Sequence, residues 1–71
     1  MNIGMLWRDD ESLESAVMKA ARYYEQKYGA KPTLCFVHPA MLQAEQQVGD
    51  VRVKTDKTIM HGHYWMGESN G

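Results

Sequence analysis

Four side chains of the types that bind transition metals fall into two spaced pairs, Cys35-x-x-His38 and His61-x-His63. Thiolate and imidazole are the usual ligands of structural zinc, and four of them complete a tetrahedral shell. On a strand, His61 and His63 share one face about 6 to 7 Å apart, given a rise of about 3.3 Å per residue, so both rings could turn toward one ion. Cys35 and His38 are three apart, and that spacing sends strand side chains to opposite faces. Only His38, His61 and His63 then converge, and the set lacks the thiolate that structural zinc favours. The competing reading is three half-exposed histidines and a buried free cysteine.

A second chemistry is stacking. The stretch TIMHGHYWMG, residues 58–67, alternates Ile59, His61, His63 and Trp65 on one parity. With Phe36 nearby, Trp65 and His63 could stack bases while Arg52 and Lys54 pair with phosphates, as on sheets that bind single strands. The alternative is a solvated face whose long cationic stems cover apolar neighbours. A third use of the same side chains is protein contact, because Ile59 and Trp65 form an apolar patch with a polar rim. Leu34, Phe36 and His38 join it if they, and not Thr33, Cys35 and Val37, are the central-strand residues on that face. Its competitor is internal cover by Met5, Leu6 and Trp7 or by the segment near Met41.

Catalysis has the least support. Cys35 with His38 or His61 as base would need an exposed electropositive setting, and a cysteine inside an apolar run lacks one. Asp50 facing His63 would only raise the histidine pKa. No phosphate-cradling glycine loop, nucleophile elbow or paired-carboxylate constellation is recognisable. The cofactor expectation is therefore none.

These side chains need elements to hold them. Leu13, Ala16, Val17, Ala20, Ala21, Tyr24 and Tyr28 recur at three- and four-residue spacing, which predicts an amphipathic helix from about Asp9 to Tyr28. Asp9 or Asp10 caps its start, Gly29 ends it and Pro32 prevents continuation. At helical spacing Tyr24 and Tyr28 seat the helix end on the sheet, with Tyr23 the exposed ring. Thr33 to His38 is apolar on both parities and reads as a central strand. A short helix or turn is expected over residues 40–47, facing inward through Met41, Leu42 and Val48.

Val51 to Thr55 alternates strictly, and Asp56-Lys57 separates it from the 58–67 stretch. That pattern predicts a C-terminal β-hairpin in which Val53 faces Met60, Arg52 faces His61 and Lys54 faces Ile59. Val51, Val53, Met60, Tyr64 and Met66 then look toward the helix, and Arg52, Lys54, Ile59, His61, His63 and Trp65 look away. Residues 2–7 read as a loose leader or an edge strand, with the leader preferred, and residues 68–71 as a frayed tail.

Seventy-one residues make one domain, with 44% hydrophobic and 24% charged residues, as in ordinary folded proteins. Eight basic and nine acidic residues leave a formal charge of −1. No global field then selects nucleic acid or an anionic membrane, and local clustering must carry any such claim. The single cysteine excludes an internal disulfide, and no apolar run reaches spanning length, so a cytoplasmic protein is the expectation.

The reading that results is an α+β domain. One long amphipathic helix packs on one face of a small three-stranded, mainly antiparallel sheet. The expected function is a protein-interaction or binding module, self-associating as a homodimer or docking another protein through the open sheet face. Its surface comprises Arg52, Lys54, Ile59, His61, His63, Trp65, Phe36 and His38. Single-stranded nucleic acid is the first alternative partner and a histidine-bound metal the second.

Overall fold

The computed structural model describes residues 4–68. Five strands, β1 (Gly4–Arg8), β2 (Leu34–Val37), β3 (Gln46–Val48), β4 (Val51–Thr55) and β5 (His63–Gly67), form one mixed sheet in the order β1-β5-β2-β4-β3. One helix, α1 (Leu13–Tyr28), covers one side of it. The α+β class holds, but the sheet has five strands where the sequence reading had three.

The helix starts later than the sequence suggests. Ser12, not Asp9 or Asp10, is its cap and accepts from the Ser15 amide at 3.4 Å. Asp9 instead accepts from the Glu11 amide at 2.9 Å and the Trp7 indole N–H at 3.2 Å. These donors stabilise the charged carboxylate and hold its pKa below the ordinary value, with the Glu11 amide the main cause. At the other end Gly29 takes the left-handed conformation at φ 74° and donates to the Glu25 carbonyl at 2.8 Å. Only glycine does this without steric cost.

Ala16, Val17, Ala20 and Tyr24 form the buried stripe of α1. They pack on Cys35, Val37, Val53, Tyr64 and Met66, all fully buried. Small residues in the stripe let the helix sit close to the sheet, and the larger Tyr24 and Tyr64 fill the space at its margins. Tyr23 is exposed, as its helix position predicts, and its ring lies 4.8 Å from that of Trp7. Tyr28, expected to help seat the helix end, is exposed as well and rests on Tyr24, the centroids 4.6 Å apart.

The predicted hairpin between β4 and β5 does not form. β2 lies between them, parallel to β4 and antiparallel to β5. Backbone bonds from Arg52 N to the Thr33 carbonyl and from Asp56 N to the Val37 carbonyl fix the parallel pair at 2.9 and 2.8 Å. Arg52 therefore faces Leu34 and Gln47, and Lys54 faces Phe36, in place of His61 and Ile59. Residues 56–62 form a connection over the end of β2. Asp56 shapes it by accepting from the Thr58 amide and hydroxyl at 2.8 and 2.6 Å. A two-residue loop is ruled out because it can join only adjacent antiparallel strands.

Two further segments differ from expectation. Residues 4–8 are an edge strand paired with β5, not a leader. The short helix or turn expected over 40–47 is a single 3-10 turn, Pro39–Met41, and the end of that span is instead the start of β3. Met41, Leu42 and Val48 still face inward. Gly49-Asp50, expected to break a helix, is the turn of the β3–β4 hairpin, with Gly49 at φ 58°. Residues 1–3 of the expected leader and 69–71 of the expected tail lie outside the described residues. Glu68 is described, and accepts a 3.0 Å bond from the Tyr24 hydroxyl.

Candidate functional site: the open sheet face

Strand alternation sends Tyr64 and Met66 under the helix and leaves His63 and Trp65 on the opposite side. On β1, Met5 and Trp7 pack against the core while Leu6 and Arg8 face out. Cys35 and Val37 are buried, and Leu34 and Phe36 are only half-covered. Among the described residues no helix lies over this second side.

Register builds a continuous row across it. Leu6 is opposite Trp65, Trp65 opposite Phe36, and Phe36 opposite Lys54. The rings of Trp65 and Phe36 lie 5.7 Å apart, tilted by 46°. The adjacent row runs Gly4, Gly67, Leu34, Arg52, Gln47. Its two glycines explain the position of the tryptophan. A Cβ on Gly4 would stand 2.2 Å from Trp65 Cε2, and one on Gly67 would stand 2.4 Å from Trp65 Cη2. The indole therefore occupies the space that side chains at these two positions would fill. Aromatic cover of glycines is a known stabilising device in sheets, and here it lays a flat ring on an otherwise uncovered face.

Charge on the face is local and one-signed within the strands. Arg8, Arg52 and Lys54 are the only formally charged residues in the five strands. Glu45, just before β3, reaches both Arg52 Nη1 at 3.1 Å and Lys54 Nζ at 3.9 Å. All three side chains are about half exposed, so these ion pairs contribute little to stability.

The histidines gather at one end of the sheet, by the 56–62 connection. The His38 and His61 ring centroids are 6.2 Å apart. His38 Nδ1 accepts from the Ala40 amide at 3.0 Å, which starts the 3-10 turn. His63 Nδ1 lies 3.4 Å from the His61 carbonyl oxygen. His38, Ile59 and His61 are not on a strand, so of the predicted surface they border the face instead of lying within it. Met60, expected beneath the helix, is 69% exposed.

The four-ligand metal reading fails on geometry. Cys35 is sealed under α1, on the side opposite His38. Burial pushes its thiol pKa up to about 12, and a neutral thiol is neither a good ligand nor a nucleophile. Among the described residues no group of three or more His, Cys, Asp and Glu side chains is placed to hold a metal ion. Asp50, in the β3–β4 turn, is far along the sheet order from His63 on β5.

Sequence reasoning overlooked Leu6, Gly4 and Gly67 as parts of this surface. A glycine beginning one aromatic-bearing strand and another ending its partner was the available signal, and it becomes meaningful only once β1 and β5 are known to pair with Gly4 opposite Gly67. No family model, curated protein sequence or solved structure matches this chain. Among the described residues no helix is long and apolar enough to cross a membrane.

Proposed function

We propose that the protein is a small binding module, without a catalytic role of its own, whose working surface is the open sheet face centred on Trp65, Phe36 and Leu6. The observation that supports it most is the indole of Trp65 laid over Gly4 and Gly67. A ring held in that way is already ordered before any partner arrives, so binding costs little side-chain entropy. Leu6, 61% exposed beside it, adds apolar area that the fold itself leaves uncovered. The reading also explains why large apolar side chains stand on both sides of a sheet that has only one helix. The cytoplasm is the proposed compartment, on the strength of the single buried thiol.

Iodide quenching of Trp65 emission tests this reading. In a Trp7→Phe background Trp65 is the sole tryptophan reporter. Ready quenching in dilute solution is the expected result. A Trp65 shielded at every protein concentration would mean that part of the same chain covers the face, and the reading would be lost. A second copy as occupant predicts shielding that grows with concentration, together with a doubled mass by sedimentation.

A further inference from the structure

We infer that the occupant of this face is a single-stranded nucleic acid, an inference that rests on the open-face reading above. Charge segregation is the first argument. Formal charge is −1 over the whole chain, yet the five strands carry Arg8, Arg52 and Lys54 and no carboxylate. Five of the nine acidic residues, Asp9, Asp10, Glu11, Glu14 and Glu25, lie in α1 or in the segment leading to it. The surface that meets the ligand is thus more positive than the molecule, and it is the local potential that a phosphate backbone samples.

Ring placement is the second argument. Trp65 lies flat over glycines, and Phe36 stands beside it at a tilt, so the two rings are neighbours without being stacked on each other. Unpaired bases stack on such rings whatever their sequence, because every base has a π-face. Cations flank the rings on both sides: Lys54 directly beyond Phe36 in the same row, and Arg8 on β1 two pairs along from Leu6, the next residue of that strand on the same face. A duplex is a poorer fit, since its bases are already stacked and this flat sheet projects neither helix nor ribbon into a groove.

A second copy of the chain is disfavoured by the same observations. Two such faces brought together would set Arg8, Arg52 and Lys54 of one copy against the same three cations of the other, each set offset in part by its Glu45. Like charges across an interface are unfavourable. Five strands spaced by about 4.8 Å and about five residues long give a face of roughly 400 Å². That is about half of what each partner contributes to a standard protein interface. A short run of nucleotides needs no more.

Glu45 sharpens the assignment. Its carboxylate sits on Arg52 and Lys54 as an anion already bridging both cations. An incoming phosphate would take that place, and the half-exposed carboxylate is free to swing into solvent. Glu45 is therefore a built-in competitor, and its removal strengthens binding.

Fluorescence anisotropy with end-labelled oligothymidylate and oligouridylate of about ten nucleotides tests the inference on the full chain. Three phosphate contacts at about 0.7 counterions each predict a log–log salt slope near −2, or roughly a fifteenfold loss of affinity from about 50 to 200 mM salt. Lys54→Gln and Arg52→Gln should each lower the slope by about 0.7. Trp65→Ala should weaken binding at least about tenfold. Because that variant removes the cover over two glycines, the lysine and arginine variants serve as the folding-neutral check. Glu45→Gln should tighten binding several-fold at low salt. Binding of duplex equal to single strand, or Glu45→Gln without effect, would overturn the assignment. Absence of oligonucleotide binding with Trp65 open to iodide would overturn this inference and leave the open-face reading standing. Concentration-dependent mass doubling with Trp65 shielding would overturn it in favour of a protein partner, and shielding at every concentration would remove both.

Discussion

Both sides of the sheet carry large apolar side chains, yet only one side is a core. Beneath α1, Cys35, Val37, Val53, Tyr64 and Met66 have no exposed surface. On the other side Leu6, Leu34, Phe36 and Trp65 are exposed or half-covered. The contrast separates what apolar side chains do for folding from what they do for contact. Burial against close-packed neighbours stabilises the fold in proportion to the area removed from water, and an uncovered side chain contributes almost none of this.

Truncation should expose the difference most strongly at Met66. Met66→Ala is expected to cost about 2–5 kcal/mol in chemical denaturation, because methylenes are lost and a cavity remains. For a domain this small that shift could abolish the folded state at physiological temperature. If Met66→Ala were as mild as a surface change, the covered side would not be the core.

Alkaline titration comes next. Burial raises the pKa values of Cys35, to about 12, and of Tyr64. Groups whose folded pKa is raised stabilise the protein fully below their unfolded values, 9.0 for the thiol and 10.0 for the phenol, and that contribution is lost as pH rises through the folded ones. The melting temperature should therefore fall progressively from about pH 9 upward, and Cys35→Ala should flatten the first part of that fall. In the folded protein at mildly alkaline pH the thiol should react with iodoacetamide about a thousandfold more slowly than a free cysteine, through its depleted thiolate.

At Gly67 the two sides meet, since its backbone is buried by the Trp65 ring. Gly67→Ala should displace the indole at a cost of about 1–3 kcal/mol, read as a red-shifted Trp65 emission with an intact helical circular dichroism signal. An unchanged emission maximum would show that the ring does not lie over the glycines.

Tyr64→Phe addresses the covered side from another direction. The Tyr64 hydroxyl is buried and has no hydrogen-bond partner among the described residues. Its deletion should raise stability by about 1 kcal/mol, by relieving an unpaired polar group in the core. The smallest effect belongs to the open face: Leu6→Ser should change stability by less than about 0.5 kcal/mol, by the same denaturation assay. A larger loss would place Leu6 in the core and narrow the proposed contact surface.

Much of the covered side was legible without coordinates. The 3.6-residue period of α1, its glycine stop, the alternation of Val51 and Val53 and that of Tyr64 and Met66 each name the residues that end up buried. Parity also placed Trp65, Arg52 and Lys54 together on the second face, whereas the central strand, apolar on both parities, left Phe36 to be placed by the burial of Cys35 and Val37. Their neighbours were not legible. Arg52 and Lys54 were paired with His61 and Ile59 because strands close in sequence usually pair, whereas β4 is held by β2 and β3. The three-residue spacing of Cys35 and His38 had already set them on opposite faces, and the burial of the thiol agrees with it.

The amino-acid sequence was enough to say which side of β4 and of β5 is apolar, where α1 stops, and that one helix is available to cover one sheet face. Those are properties of local periodicity and backbone freedom, and they need no knowledge of what lies beside a residue. Only the tertiary structure decided the strand order, the insertion of β5 between β1 and β2, and the meeting of Gly4, Gly67 and Trp65. Strand alternation specifies a face but never a neighbour, so partners distant in the chain are chosen by the packing of the whole sheet.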